Sequence, residues 1–175
     1  RYLAAVGALV RPGAPTASGP SIAMRSGAAA QSILFPEHRR LFSVVLTGGV
    51  FDVIHPGHLH TLAEAKKAGA FAHKPMVLVV VVASDENVKK RKGHEPLHTA
   101  AERAELVGSL KPVDLAIVGV SRWQDTLARV GPDVVVFGYD QTPMELPEGI
   151  KVVHLTSSGA NPYSKTGKVR ERLGL

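Results

Sequence analysis

Apolar and polar positions in this chain alternate in blocks. Residues 44–46 (Val-Val-Leu) are a short apolar run that ends in the turn Gly48-Gly49. A helix is predicted to begin near Pro56, because proline lacks an N–H that the first helical turn would leave unpaired anyway. Leu59, Leu62 and Ala63 supply its apolar stripe. Residues 76–83 are an unbroken Val-rich run, the pattern of a strand buried on both faces of a parallel sheet. Residues 99–110 read as a helix with Ala104, Leu106, Val107 and Leu110 available to a core. A short strand is predicted over 115–118. A helix over 122–130 is stopped by Gly131-Pro132. Further strands are predicted over 134–137, ending in Gly138, and over 152–155. A last helix starts near Thr166 and carries Val169 and Leu173. Strand–helix alternation predicts right-handed crossovers and an α/β, doubly wound parallel sheet. Ligands of such sheets bind outside the carboxyl ends of the strands.

Residues 1–42 break the pattern. They are rich in Ala, Gly, Ser, Pro and Arg, with no acidic residue before Glu37. An Arg- and Ser-rich, acid-poor leader fits a transit peptide. It fits equally the remnant of an appended small domain, with strands over 8–11 and 21–25. A partly ordered extension over 1–42 and one domain over 43–175 is the division expected. The chain opens on Arg1 rather than Met, which leaves a preceding segment open.

Composition narrows the partners. A chain of 175 residues with 45% hydrophobic content has one real core. A formal charge of +6 points to anionic partners, nucleotides as readily as nucleic acid. With no Cys, disulfide and thiol chemistry are excluded, and a reducing, cytoplasmic setting fits. No apolar run is long enough to cross a bilayer, so no membrane partner is expected.

The candidate chemistry starts at the first strand. The phrase S-V-V-L-T-G-G-V-F-D-V-I-H-P-G-H joins a strand, a glycine turn and a helix N-terminus. Free backbone N–H groups and the positive end of the helix dipole make that junction an anion site. His55 and His58, three residues apart, fall on one side of the first helical turn. Two imidazoles at this spacing could also ligate a metal. A structural zinc site needs more ligands than these, so phosphate binding ranks ahead of metal ligation, and no metal site of protein side chains is expected.

G-G-V-F-D-V-I-H-P-G-H resembles the first signature of the cytidylyltransferase-like nucleotidyltransferases, whose core is H-x-G-H after a G-x-F-D turn. The resemblance implies a Rossmann-like fold of the HIGH superfamily. It also implies transfer of a nucleotidyl group from a nucleoside triphosphate to a phosphate-bearing acceptor, with release of pyrophosphate. Gly49, Val50, Phe51, His55, Pro56, Gly57 and His58 are then nucleotide-binding, with His55 and His58 catalytic and Asp52 facing the phosphates or the acceptor. Val50 stands where most members have Thr.

Four later phrases extend the resemblance to about Leu173. In S-D-E-N-V-K-K-R-K-G-H-E-P at least one of Lys89, Lys90, Arg91 and Lys92 is expected to meet a phosphate, with Lys89 and Lys92 taken as candidates; a solvated charge run is the bland alternative. In A-E-R-A-E-L-V-G-S-L-K-P-V-D, Arg103 stands at the family's phosphate- or acceptor-facing position. An exposed helical Arg paired with Glu102 or Glu105 is nearly as good a reading. In P-D-V-V-V-F-G-Y-D-Q, Asp140 is placed to hold the ribose; a plain turn also accounts for it. T-S-S-G-A-N-P-Y-S-K-T resembles a loose second signature, with Ser158, Ser164 and Thr166 toward the triphosphate and the last two also suited to capping.

The wording V-K-K-R-K-G-H-E-P, L-K-P-V-D-L-A-I-V-G and P-D-V-V-V-F-G-Y-D-Q is most similar to the archaeal-type FAD synthetases. That resemblance implies ATP and FMN as substrates, FAD as product and Mg²⁺ or another divalent cation as cofactor, and it allows a homodimer. Cytidylyltransferases acting on glycerol phosphate and phosphopantetheine adenylyltransferases remain alternatives. A nucleic-acid-binding regulator on the same scaffold ranks below them: the arginines of the extension are scattered and it has few aromatics to stack on bases.

Overall fold

The computed structural model describes residues 22–23, 43–69, 74, 76–120, 122–157, 159 and 165–174. In chain order the elements are β1 (Ile22–Ala23), β2 (Ser43–Gly49), α1 (Pro56–Ala68), β3 (Met76–Val82), α2 (Asp85–Lys92), α3 (Ala100–Gly108), β4 (Leu115–Val118), α4 (Trp123–Val130), β5 (Val134–Phe137), β6 (Lys151–His154) and α5 (Thr166–Leu173). They build one six-stranded sheet in the order β1-β4-β3-β2-β5-β6. Strands β2 to β6 run parallel, and β1 adds an antiparallel rung pair at the β4 edge, Ile22 opposite Ile117. That pairing ties a piece of the predicted extension to the main sheet; residues 8–11 lie outside the described residues.

The Val-rich runs alternate between two cores, as the period of two in a strand requires. Val77, Val79 and Val81 face one side with Leu127 and Val130 of α4. Leu78, Val80 and Val82 face the other with Leu62 and Ala65 of α1 and Ala104 and Val107 of α3. Helices cover both faces, so the sheet is doubly wound. Among the described residues no helix is long and apolar enough to cross a membrane.

Several predicted boundaries shift. Gly48 and Gly49 belong to β2 and are not the turn; the turn follows, and its left-handed residue is Phe51, at φ 56°. In α1 the buried positions are Gly57, Leu62 and Ala65, while Leu59 is 42% exposed. In α3 Leu106 is exposed and Arg103 takes its place on the buried stripe. The cationic run 89–92 is the end of a helix, α2, that apolar periodicity misses because only Val88 is buried. Its caps were readable: the Ser84 hydroxyl accepts from the Asn87 N–H, Asp85 and Glu86 open the helix, the cations close it, and Gly93 follows at φ 75°. Thr166 is the first residue of α5 and not its N-cap, a position held by Lys165.

Two aspartates clamp the amino edge of the sheet. Asp114 precedes β4; its N–H donates to the Leu78 carbonyl (3.1 Å) and its carboxylate accepts from the Leu78 N–H (2.7 Å). Asp133 precedes β5 and makes the same reciprocal pair with Val44, at 2.9 and 2.8 Å. Lys66 of α1 also reaches the Asp114 carboxylate. Each carboxylate supplies the rung that the shorter neighbour strand lacks. Asp114→Ala and Asp133→Ala should each lower the unfolding free energy by about 1–3 kcal/mol, the cost of an orphaned buried donor. Urea denaturation measures that loss. Turnover of the folded protein should be unchanged, because both residues lie at the edge opposite the carboxyl ends.

Candidate active site

The carboxyl ends of β2, β3, β4 and β5 open onto a cavity of about 880 Å³. It lies where the strand order reverses, between β2 and β5, the place where open α/β sheets bind ligands. The opening has a local cause. The β2–β5 ladder pairs only Val45 with Val134 and Leu46 with Val135. Beyond these rungs two side chains bridge the strands: the Thr47 hydroxyl donates to the Val136 carbonyl (2.9 Å), and the Gln141 amide donates to the Gly48 carbonyl (2.8 Å). The same Gln141 accepts from the Gly138 N–H at 2.8 Å.

The turn after β2 sits against this opening. A Cβ on Gly48 would stand 3.1 Å from the Val81 carbonyl oxygen, and one on Gly49 would stand 2.9 Å from the Phe51 ring. A side chain at Gly48 would crowd the β3 backbone and one at Gly49 would displace the Phe51 ring, so glycine at both lets the end of β2 lie this close to β3 and to Phe51. Phe51 is buried and its ring lies 4.9 Å from that of His58. His58 in turn stacks on His55, with ring centroids 3.8 Å apart and planes 21° from parallel. His55 Nε2 and Thr166 Oγ1 share a hydrogen bond of 3.1 Å, which brings the start of α5 to the start of α1. No side chain caps α1, and its first turn holds no acidic residue, so its positive end stays available to an anion.

Burial sets the charge of the pair. It pushes the His58 imidazole down to about 3, helped by repulsion from His55 when that ring is protonated and by the Lys92 charge. His55 is lowered too, chiefly by burial, with Asp140 pulling the other way. Both rings are therefore neutral near pH 7 and offer N–H donors rather than full charges. Each Nδ1 is buried with no hydrogen-bond partner among the described residues.

Of the residues singled out from sequence, Gly49, Val50, Phe51, His55, Gly57, His58 and Thr166 converge on this turn. Pro56 is exposed on its rim, and Val50 and Asp140 line the cavity. Lys92 acts electrostatically on His58. Ser158 and Ser164 lie outside the described residues. Three expectations are corrected. Lys89 points to Glu95, at 2.5 Å, while Arg91 is the α2 cation that lines the cavity. Asp52 is buried, and its Oδ1 accepts from the Leu97 and His98 N–H groups at 2.8 and 3.2 Å, so it holds the loop before α3 instead of facing a substrate. Arg103 is fully buried; its guanidinium donates to the carbonyls of His98 (3.0 Å), Val50 (2.5 Å) and Ala83 (2.8 Å) and to Asp85 Oδ1 (2.6 Å). It is a clamp behind the turn and not a phosphate ligand. Sequence reasoning passed over Gln141, Arg122 and Trp123, which also line the cavity. Their position just past β4 and β5 was the available signal.

No group of three or more His, Cys, Asp or Glu among the described residues could hold a metal. The carboxylates nearest the turn do not fit a protein-only cation cage: Asp52 is committed to backbone N–H groups and Asp140 is exposed.

A parallel sheet with its cavity at the switch point, joined through Gly48, Gly49 and Val50 to a turn that leads into a neutral imidazole pair at a helix N-terminus, has the geometry of a nucleotidyltransferase, although neither ring is among the residues lining the cavity. Residues 46–159 match the Cytidylyltransferase-like family, and the chain belongs to it. Among curated proteins it is 36% identical over 142 residues to the FAD synthase of Pyrococcus horikoshii, spanning 74% of this chain and 90% of that one. It is 51% identical over 98 residues to the FAD synthase of Methanopyrus kandleri, covering 55% of this chain and 63% of that one. Among solved structures it resembles a lipopolysaccharide core biosynthesis protein of Thermoplasma volcanium, with a TM-score of 0.54 and 34% identity over 65% of this chain and 95% of that one.

Removing the Arg103 guanidinium would strand three backbone carbonyls and one carboxylate. Arg103→Met should cost at least about 1–3 kcal/mol of stability, the penalty for orphaned buried carbonyls; the Asp85 carboxylate left behind is partly exposed and adds little. Arg103→Lys should recover only part of it, since an ammonium cannot reproduce the fork. Chemical denaturation of the three proteins checks this; a Met variant as stable as the parent would remove the clamp.

Proposed function

We propose that this protein transfers AMP from ATP to FMN, forming FAD and pyrophosphate. The observation that carries the reading is the match to FAD synthases over nine-tenths of a relative's length. The imidazole pair at the helix N-terminus fits the chemistry. An oxygen of the FMN phosphate attacks the α-phosphorus of ATP, the bond from that phosphorus to the bridging oxygen breaks, and pyrophosphate leaves. No protein nucleophile is required, so catalysis is positioning and stabilisation of charge. His58 and His55 donate to the phosphate oxygens as charge builds on the leaving group. Phe51 and Thr166 hold the two rings in register, and Arg103 fixes the backbone that carries them. Asp140 accepts from ribose hydroxyls of the nucleotide. A divalent cation, Mg²⁺ on this reading, would ride on the triphosphate oxygens and water and neutralise charge there.

Pyrophosphate release, measured with ATP and CTP against FMN, glycerol phosphate and phosphopantetheine, tests donor and acceptor together. ATP with FMN should be the productive pair; CTP with glycerol phosphate would overturn the reading while leaving the reaction class in place.

His58→Ala should lose roughly 100-fold or more in turnover, as for other removed charge-stabilising donors. Its folding should be little affected. The pH profile carries a second check. With His58 titrating at about 3, the fall in kcat/KM on the acid side should owe nothing to His58 above pH 5. An acid limb near pH 6.5 that disappears in His58→Gln would show a protonated ring at work instead.

A further inference from the structure

The two ends of the cavity differ in chemistry. Past β5 stand Asp140 and Gln141, an acidic and hydrogen-bonding end. The opposite end is lined by Asn87 and Arg91 of α2 and by Arg122 and Trp123 at the start of α4. Trp123 is the chain's sole tryptophan. A Cβ on Gly48 would stand 3.8 Å from its ring, so the indole lies over the end of β2, beside the phosphate turn. Its Nε1 is buried without a hydrogen-bond partner among the described residues, although a buried indole N–H normally finds one. Val81 of β3 adds apolar wall there, while Phe137 and the exposed Met144 belong to the β5 end. Arg91 is exposed and adjoins Lys92, whose charge reaches His58. Helix α2 thus borders both the indole end of the cavity and the imidazole pair.

An indole face, apolar wall and an exposed guanidinium together select a flat aromatic ring that carries a phosphate. The Asp140 end does the opposite, since a carboxylate repels phosphate and favours sugar hydroxyls. We propose that the Trp123 end is the flavin subsite: the isoalloxazine ring packs on the Trp123 indole, and Arg91 holds the FMN phosphate toward the imidazole pair. The proposal rests on the FMN adenylyltransferase reading above. It assigns the two substrates to opposite ends of one cavity, with the reacting phosphates meeting at the turn after β2.

The test uses the full chain, with steady-state kinetics for FMN and ATP and the fluorescence of bound FMN. Stacking on indole should quench that fluorescence in the parent protein. In Trp123→Ala the quenching should be lost and the FMN KM should rise roughly tenfold, the scale of an aromatic pair plus its buried area, while the ATP KM stays put. Riboflavin, which has the ring without the phosphate, separates the two contacts. It should compete with FMN equally well in the parent and in Arg91→Gln, and lose its hold in Trp123→Ala. Arg91→Gln, on an exposed helix face, should fold normally and raise the FMN KM alone, which keeps a reading available if Trp123→Ala folds poorly. If the parent uses FMN but Trp123→Ala keeps both its quenching and its FMN KM, the subsite is wrong and the enzyme reading survives. A rise in the ATP KM alone would assign the indole to the adenine. A parent protein that does not use FMN would overturn the enzyme reading itself, and the subsite with it.

Discussion

The site depends on one buried guanidinium. Arg103 binds the Val50 carbonyl in the turn after β2, the Ala83 carbonyl just past β3, Asp85 at the start of α2 and the His98 carbonyl before α3. Three segments, the turn after β2, the β3–α2 connection and the loop before α3, are therefore held by one rigid, planar group. A guanidinium does this better than any other side chain, because its five donors point outward in a fixed plane. Burying it requires an acceptor for nearly every donor, and the arrangement supplies them. Asp52 continues the same fastening from the other side by gripping the backbone of residues 97 and 98.

The two edges of the sheet use side-chain hydrogen bonds in opposite ways. At the amino edge Asp114 and Asp133 extend the ladders and close the strands together. At the carboxyl edge Thr47 and Gln141 span β2 and β5 after the ladder has ended, and so set the width of the crevice without sealing it. The cavity is thus a consequence of where backbone pairing stops. Glycines at 48 and 49 then let the end of β2 lie against β3 and Phe51 without crowding them.

The imidazole pair follows from packing against that turn. Phe51, at positive φ, brings its ring to His58; His58 stacks on His55; Thr166 fixes His55 from α5. Desolvation keeps both rings neutral, which makes them hydrogen-bond donors of fixed direction at the positive end of α1. Neutral donors and a helix terminus bind phosphate without the salt-screened attraction that exposed lysines rely on. Of the exposed cations of α2, Arg91 lines the cavity.

The order of strands and helices was legible in the chain because strand periodicity and the Gly and Pro stops are local properties. The same holds for the H-P-G-H turn, where residue type and spacing alone define an anion site at a helix start. Helix α2 was hidden because caps and charge, not an apolar stripe, define it. The role of Arg103 was also hidden: sequence marks it as a cation, and only burial against three carbonyls and Asp85 makes it a clamp. Asp52 and Lys89 were misread for the same reason, since a charged side chain's partner depends on which loop folds back over it. Trp123 and Gln141 meet the end of β2 at Gly48 across long stretches of chain, and no local pattern encodes that meeting. Spacing determined which residues were chemically able to serve; packing of distant segments decided which of them face the cavity.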